Sequence, residues 1–321
     1  MARFIFRRLL QTIPLLLGIT FIAFAVMQVA PGDYLTQMQG NPNVTPEAIE
    51  RLRRNFGLDR PWWIQYLFWL KGAATGDFGY SFTYKLPVFA LIGLYVRNTL
   101  ILALTSLVLS WLVALPMGVY AATHKNGLID RLTSFLAYAG ISLPSFFVAL
   151  IALMISQRTG WFPIGGMESA NHNSLSQLGK FKDVAWHLVL PTLVLGTRGV
   201  AGIMRQMRGS LLDILSENYI LAARARGTAE STVIVKHAVR NAINPLITIL
   251  GYEFAGLLAG AALVENVMAW PGLGSLLLSS VVSQDLYVAM GSFLMGSLML
   301  IMGNLIADVL LAITDPRIRL S

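Results

Sequence analysis

The sequence contains no cysteine and has few charged residues. Only 12% of its 321 residues are charged and 55% are hydrophobic, whereas a soluble domain carries about 25% charged residues. This shortage of charge excludes a soluble globular enzyme and a disordered chain. The absence of cysteine excludes disulfide scaffolds, thiolate zinc sites, iron–sulfur clusters and cysteine nucleophiles. The length is best divided into membrane spans of about 20 residues.

Six apolar runs are long enough to cross a membrane. They cover roughly residues 9–30, 98–122, 132–157, 187–204, 242–264 and 287–313. The pattern predicts an all-α polytopic membrane protein with six transmembrane helices. Its regions are a tail and first helix in 1–30, an extracytoplasmic helical segment in 31–97, and a core of five spans in 98–321.

Basic residues are distributed unequally between the short segments that connect the spans. The side that holds both termini carries thirteen Lys and Arg residues against three on the other side. Because basic residues are enriched in cytoplasmic loops, both termini are predicted to be cytoplasmic. Most of the net charge of +8 lies at these membrane boundaries, so it does not indicate nucleic-acid binding.

The outer segment is predicted to contain two helices. Thr45 is a suitable N-cap, Pro46 follows at the first helical position, and Gly57 can end that helix. A second helix over residues 61–74 carries Trp62, Trp63, Tyr66 and Trp69 on one flank. We expect this aromatic helix to lie along the outer membrane interface.

Signatures of catalysis and metal binding are absent from the sequence. It lacks H-E-x-x-H, a Gly-rich phosphate loop and a G-x-S-x-G elbow. The four histidines, at positions 124, 172, 187 and 237, fall in four different loops or boundaries, which favours interfacial roles over metal ligation. We therefore expect no catalytic residue, metal or cofactor in this chain.

Three ionisable residues interrupt the apolar runs: Arg198, Glu253 and Asp308. Each costs about 2.5–3.5 kcal/mol near the centre of a span. They either form an ion or proton path, or lie near span ends and pair inside the bundle. The pair Gly256 and Gly260 has the spacing that permits close helix packing.

Residues 205–245 are predicted to form a folded cytoplasmic elbow, here named the coupling elbow. Apolar residues recur at helical spacing from Leu211 to Ile220, so one helix is expected to continue to Arg226 and end at Gly227. Thr228 can cap a second helix, before Pro245 begins the next span. The elbow has the form of a docking element, although a loop lying on anionic lipid is the alternative.

The elbow sequence resembles the coupling motif of ABC-importer permeases of the dipeptide/oligopeptide (peptide/nickel) family, first-subunit type. The resemblance rests on residues 217–227 and 237–242 and on short motifs along nearly the whole chain. These motifs are Phe6-Arg7-Arg8-Leu9, Ala30-Pro31-Gly32-Asp33, Gly76-Asp77-Phe78-Gly79, His187-Leu188-Val189-Leu190-Pro191, Trp270-Pro271-Gly272-Leu273-Gly274 and Asp315-Pro316-Arg317-Ile318-Arg319. Leu221 stands where the general motif has an acid, and His237-Ala238-Val239-Arg240 replaces its downstream Ile-x-Leu-Pro.

The resemblance implies an ABC type I importer permease fold and a transport function without ATP hydrolysis. The implied partners are a second homologous permease, two ATPase subunits, an extracytoplasmic binding protein, a peptide substrate and membrane lipid. A bacterial or archaeal cytoplasmic membrane is implied, and an ion-coupled carrier or membrane-embedded enzyme acting alone is the alternative. The implied ATPase-coupling residues are Tyr219, Ala222, Ala223, Arg224, Arg226, Gly227, His237 and Arg240.

Overall fold

The computed structural model describes residues 2–29, 32, 34–38, 45–55 and 57–314. These residues are almost entirely helical, as the apolar runs predict. The helices are α1 (Ala2–Val29), α2 (Tyr34–Met38), α3 (Pro46–Asn55), α4 (Trp62–Ala74), α5 (Val88–Thr123), α6 (Leu128–Ser142), α7 (Ser145–Thr159), α8 (Gln177–Leu215), α9 (Asn218–Ala225), α10 (Glu230–Thr232), α11 (Arg240–Ala242), α12 (Asn244–Val267), α13 (Leu273–Val282) and α14 (Leu286–Thr314). A 3₁₀ turn covers His172–Ser174, and a π-helical segment, Val233–Val239, joins α10 to α11.

Four helical stretches among the described residues have the length and composition of a membrane span, and two bent helix pairs bring the total to six. One bent pair is α6 and α7, whose axes differ by 106°. The span predicted over 132–157 therefore corresponds to two helices that meet at a sharp bend. Leu143 is extended because it precedes Pro144, and proline disfavours the helical conformation in the residue before it.

The chain divides into two compact units. The first consists of residues 1–99 and 271–301, and the second of residues 100–270 and 302–321. In the first unit, Thr45 and Pro46 begin α3 and Gly57 has φ +66°, as predicted. Buried Asp285, at the start of α14, accepts hydrogen bonds from Ser81 Oγ at 2.7 Å and Thr83 N at 3.0 Å.

The aromatic helix α4 packs against α1 in the first unit. Tyr66 shares a 3.0 Å hydrogen bond with Thr20 and makes edge-to-face ring contacts with Phe21 and Phe24. Tyr66 and Trp69 are buried, whereas Trp63 is 54% exposed. The aromatic flank therefore divides into a face that packs on α1 and a face that no described residue covers.

The core of the second unit forms around α8. This helix has 39 residues, a length of about 58 Å, which exceeds the thickness of a bilayer. Buried residues of α5, α7 and α12 pack around its first half, and those of α5, α6 and α12 around its second half. Helices approach closely where Gly118 and Gly199 face other helices, because a Cβ there would lie under 3 Å from a neighbouring atom.

The close helix packing expected at Gly256 and Gly260 is not found at Gly256. A Cβ added at Gly256 would meet no atom within 4 Å. The surroundings of Gly260 lie outside the described residues, as do Ala30, Pro31 and Asp33 and the terminal motif 315–319. At Gly256, α12 therefore presents an open surface.

Candidate functional site

The coupling elbow is folded, and its interior is continuous with the core of the second unit. Leu211, Ile220, Ala223, Val233 and Ala238 are all buried. They belong to one apolar cluster that also contains residues of α5, α6, α8 and α12. The elbow is therefore attached to the helix bundle by packing as well as by chain connectivity.

The first arm of the elbow consists of two helices and not of one continuous helix. α8 ends at Leu215, Ser216 is its C-cap, and α9 begins at Asn218 after an extended Glu217. The expected helix over 211–226 is therefore wrong. The apolar spacing continues across the break because Leu211 and Ile220 face the same core.

The turn at Gly227 has the geometry predicted from the sequence. Gly227 has φ +77°, its N–H donates to Arg224 O at 2.9 Å, and Thr228 N donates to Ala223 O at 3.3 Å. This is the Schellman arrangement of a helix C-terminus. The expected Thr228 cap is wrong: Ala229 occupies the N-cap position of α10, and no side chain caps that helix.

An ion pair closes the turn on its exposed side. Arg224 donates from Nη2 to Glu230 Oε1 at 2.7 Å and from Nε to Glu230 Oε2 at 3.1 Å. Hydrogen bonding to Glu230 raises the pKa of the Arg224 guanidinium above its ordinary value. Bidentate geometry of this kind adds directional specificity, so the pair fixes α9 relative to α10.

The two predicted alanines face opposite directions. Ala223 is buried in the core, whereas Ala222 is exposed. Three large apolar side chains of the elbow are also exposed: Tyr219 and Leu221 of α9 by 44% and 51%, and Val235 of the π-helical segment by 67%. Exposed apolar residues of this size, grouped on one folded element, are typical of a protein docking surface. Sequence reasoning missed Leu221 and Val235, although both are large apolar residues beside predicted positions.

Polar residues lie around this apolar surface. Arg226 and Arg240 are exposed, and His237 is half-buried. Asn241 Nδ2 donates to Tyr219 Oη and to His237 O, both at 3.0 Å. This amide connects α9 to the last part of the elbow. The structure therefore brings all eight predicted coupling positions together in one elbow.

A buried ion pair near the elbow was missed by sequence reasoning. Arg208 of α8 donates from Nε to Asp130 Oδ1 at 2.6 Å and from Nη2 to Oδ2 at 2.9 Å. Asn126 N also donates to Asp130 Oδ2 at 2.9 Å. The Asp130 side chain is only 4% exposed and that of Arg208 is 27% exposed. The pair fastens the start of α6 to α8 three residues before Leu211.

The three intramembrane ionisable residues occupy different environments. Glu253 is half-buried against the backbone of α8, where its carboxylate lies beside Gly199 and Gly202. Arg198 is exposed. Asp308 is half-buried near the end of α14. An ion path through these residues stays a prediction.

Two histidines expected in separate environments meet at one carboxylate. His172 Nδ1 lies 2.7 Å from Asp183 Oδ2, and His187 Nδ1 lies 3.4 Å from Asp183 Oδ1 and 2.9 Å from the main-chain oxygen of Asp183. Ser169 donates to Asp183 from its backbone N at 2.9 Å and from its hydroxyl at 2.5 Å. The two histidines belong to different elements, and they approach the same Asp183 because the loop after α7 folds back onto α8. No group of three or more acidic or histidine side chains that could hold a metal ion is found among the described residues.

The sequence matches two family models that together cover nearly the whole chain. Residues 114–320 match the binding-protein-dependent transport system inner membrane component, and residues 1–105 match its N-terminal model. The chain is 41% identical to the oligopeptide transport system permease protein AppB of Bacillus subtilis, with 99% of each chain covered. It is 36% identical to the dipeptide transport system permease protein DppB of Escherichia coli K12 and 36% identical to the glutathione transport system permease protein GsiC of Escherichia coli O1:K1. Each of these two matches also covers 99% of both chains.

These matches agree with the helical fold and the apolar spans. The family consists of transport permeases, in which ATP hydrolysis lies in partner subunits. The chain belongs to the family of binding-protein-dependent transport system inner membrane components, and it is a permease subunit of an ABC transporter.

Proposed function

We propose that this chain is one of two homologous permeases of an importer that takes up peptides. Two ATPase subunits would bind the coupling elbow, and an extracytoplasmic binding protein would deliver the substrate. The names of relatives that align over the full chain support a peptide substrate. The folded elbow, with its exposed apolar surface and buried base, supports the coupling role.

The proposed docking surface consists of Tyr219, Leu221, Ala222 and Val235. Together with the basic side chains around it, this surface would occupy a groove on an ATPase subunit. Apolar contacts at the centre with charged groups at the rim are the usual composition of such an interface. Tyr219 and Leu221 are the exposed side chains on α9 that are large enough to act as anchors.

Coupling would then proceed by rigid-body movement. Because the base of the elbow lies in the apolar cluster around α8, displacement of the elbow by ATPase closure displaces the bundle with it. ATP must bind the outward- and inward-facing states with different affinity for this to drive transport. The Asp130–Arg208 pair would keep α6 and α8 together during the movement.

We infer that both termini are cytoplasmic, as the distribution of basic residues predicts. Reporter fusions after Gly166 and after Thr228 test this orientation. The first should report an external location and the second a cytoplasmic one. Identical reports from both fusions would refute the topology.

The docking surface is tested by comparing two neighbouring alanines. Ala222→Trp places bulk on the exposed surface and should abolish co-purification of the ATPase subunits while the elbow stays folded. Ala223→Trp overpacks the core, a change that costs about 1–3 kcal/mol, and should loosen the elbow itself. Lys125→Trp, an exposed position outside the elbow, is the control for bulk.

The readouts are ATPase pull-down, ATPase stimulation and uptake of labelled peptides through the assembled complex. Normal docking in Ala222→Trp would refute the proposed surface. Substrate class is tested separately by identifying the ligand of the cognate binding protein. A non-peptide ligand there would refute the peptide assignment and leave the coupling proposal standing.

A further inference from the structure

A cavity of about 640 Å³ lies within the first unit. Its wall is formed by α1, α3, α4, the turn after α4 and the start of α14. Arg54, Arg60 and Asp77 contribute charged groups to the lining, and Phe24, Phe68 and Trp69 contribute aromatic rings. The volume lies in the range of small-molecule sites, which combine an apolar lining with a few polar groups.

The position of α4 along α1 places this cavity beside a membrane-spanning helix. Tyr66 Oη donates to Leu17 O at 3.2 Å, near the middle of α1, whose last residue is Val29. The twelve residues from Leu17 to Val29 correspond to about 18 Å of helix. Leu17 lies close to the midpoint of the apolar run 9–30, and the Tyr66 ring also contacts Phe21 and Phe24, which lie between that midpoint and Val29. The centre of α4 therefore lies beside the apolar part of α1, from its midpoint towards Val29.

The outward face of α4 is apolar, and no described residue covers it. Trp63, Leu67 and Phe68 are 54%, 59% and 57% exposed. Within the membrane, an exposed face that carries Trp and Phe is suited to contact with lipid. Phe68 belongs both to this face and to the lining of the cavity, so the cavity is continuous with the lipid-facing surface.

The charges of the cavity match the polar part of a phospholipid. The Arg60 guanidinium lies 4.7 Å from the centre of the Phe68 ring, at the boundary between the lipid-facing surface and the cavity. Guanidinium groups bind phosphate with directional, charge-assisted hydrogen bonds. Arg54, whose Nε pairs with Glu50 Oε1 at 3.2 Å, lines the same space. Asp77 adds a carboxylate, which favours a head group that carries an amine.

We propose that this cavity binds one glycerophospholipid with an amine head group. Its phosphate contacts Arg54 and Arg60, its amine faces Asp77, and one acyl chain lies along the face that contains Phe68. The site is independent of the coupling elbow and of the transported substrate. The bound lipid fills the space between α3, α4 and the membrane.

Native mass spectrometry of the purified full-length chain tests the proposal. After delipidation, the chain is incubated with phosphatidylethanolamine, phosphatidylglycerol or phosphatidylcholine. The wild type should retain one phosphatidylethanolamine, and the Arg54→Gln/Arg60→Gln double variant should retain at least about tenfold less, because two charge-assisted contacts are lost. Lys71→Gln removes an exposed charge of α4 that does not line the cavity, and it should behave as the wild type.

A second variant keeps the test informative if the double variant misfolds. In Asp77→Asn the amide oxygen can still accept from Gly79 N, as Asp77 Oδ1 does at 2.9 Å, so the turn is retained. The preference for phosphatidylethanolamine over phosphatidylglycerol should fall in this variant. Unchanged lipid retention in the double variant, or an unchanged preference in Asp77→Asn, overturns the proposal.

Competitors distinguish the possible sources of the anionic group. Inorganic phosphate and an unmodified dipeptide are added to the lipid-bound chain. The lipid should remain bound in the presence of both. Displacement by phosphate would identify a small-anion site, and displacement by dipeptide would identify a peptide site. Either result overturns the lipid assignment without affecting the proposed transport function.

Discussion

Gly227 allows the backbone contribution to the elbow to be measured separately from side-chain packing. Its φ is +77°, and a Cβ added there would meet no atom within 4 Å. The change Gly227→Ala therefore introduces backbone strain without a steric clash in this chain. A non-glycine residue in this conformation costs about 1–2 kcal/mol, which corresponds to roughly a 5- to 30-fold change in the folded population of the turn.

Gly209 is the matched control. It is also exposed with open space around it, but it lies in the helical conformation inside α8. Gly209→Ala should stabilise the helix by about 0.5–1 kcal/mol. The same chemical change is therefore expected to have opposite signs at the two positions.

Hydrogen exchange of residues 218–242 in the assembled complex measures the effect. Gly227→Ala should reduce amide protection by about 5- to 30-fold and lower ATPase stimulation. Gly227→Asn should lose less amide protection, because asparagine tolerates this conformation better. Gly209→Ala should keep or increase protection. Full protection in Gly227→Ala, or an equal loss in Gly209→Ala, would refute the assignment of Gly227 as the conformational determinant of the turn.

Three other predictions follow from the structure. Asp130→Asn breaks a buried ion pair and should lower the free energy of unfolding in detergent by about 3 kcal/mol. Arg205→Gln removes an exposed charge on α8 and should change this free energy little. Equal values for the two variants would contradict the structural role of the Asp130–Arg208 pair. Asp183→Asn removes the charged acceptor for Ser169 and should increase protease cleavage within 160–176 at pH 7, with Lys180→Gln as the unaffected control. The purified chain alone should release no phosphate from ATP, and sustained release by this subunit would contradict its assignment as a permease.

Features that depend on neighbouring residues could be predicted from the sequence. The helix start at Thr45 and the turn at Gly227 follow from local backbone preferences, and both are confirmed. Pro245 in the first turn of α12 is confirmed for the same reason. The break at Leu143 could also have been predicted locally, because it precedes Pro144. A count of apolar residues alone does not detect it. Proline preference should therefore be applied inside an apolar run as well as at its ends.

Features that depend on distant residues could not be predicted in this way. Asp130 and Arg208 are 78 positions apart, and no spacing rule relates them. Asp183 meets His172 only because the loop after α7 turns back onto α8. The opposite orientations of Ala222 and Ala223 follow from the position of the core beneath α9, which the repeated alanine sequence does not reveal.

The location of the elbow core constrains how this subunit can transmit motion. α9 has eight residues and α10 has three, and helices this short are unstable in isolation. The buried side chains of α9 and of the π-helical segment that follows α10, including Ile220 and Val233, lie in the same cluster as Met204 and Met207 of α8. The elbow therefore cannot move far from α8 without exposing that cluster to water. A force applied to the exposed surface around Ala222 must displace α8 together with the elbow, and the Asp130–Arg208 pair extends the displacement to α6.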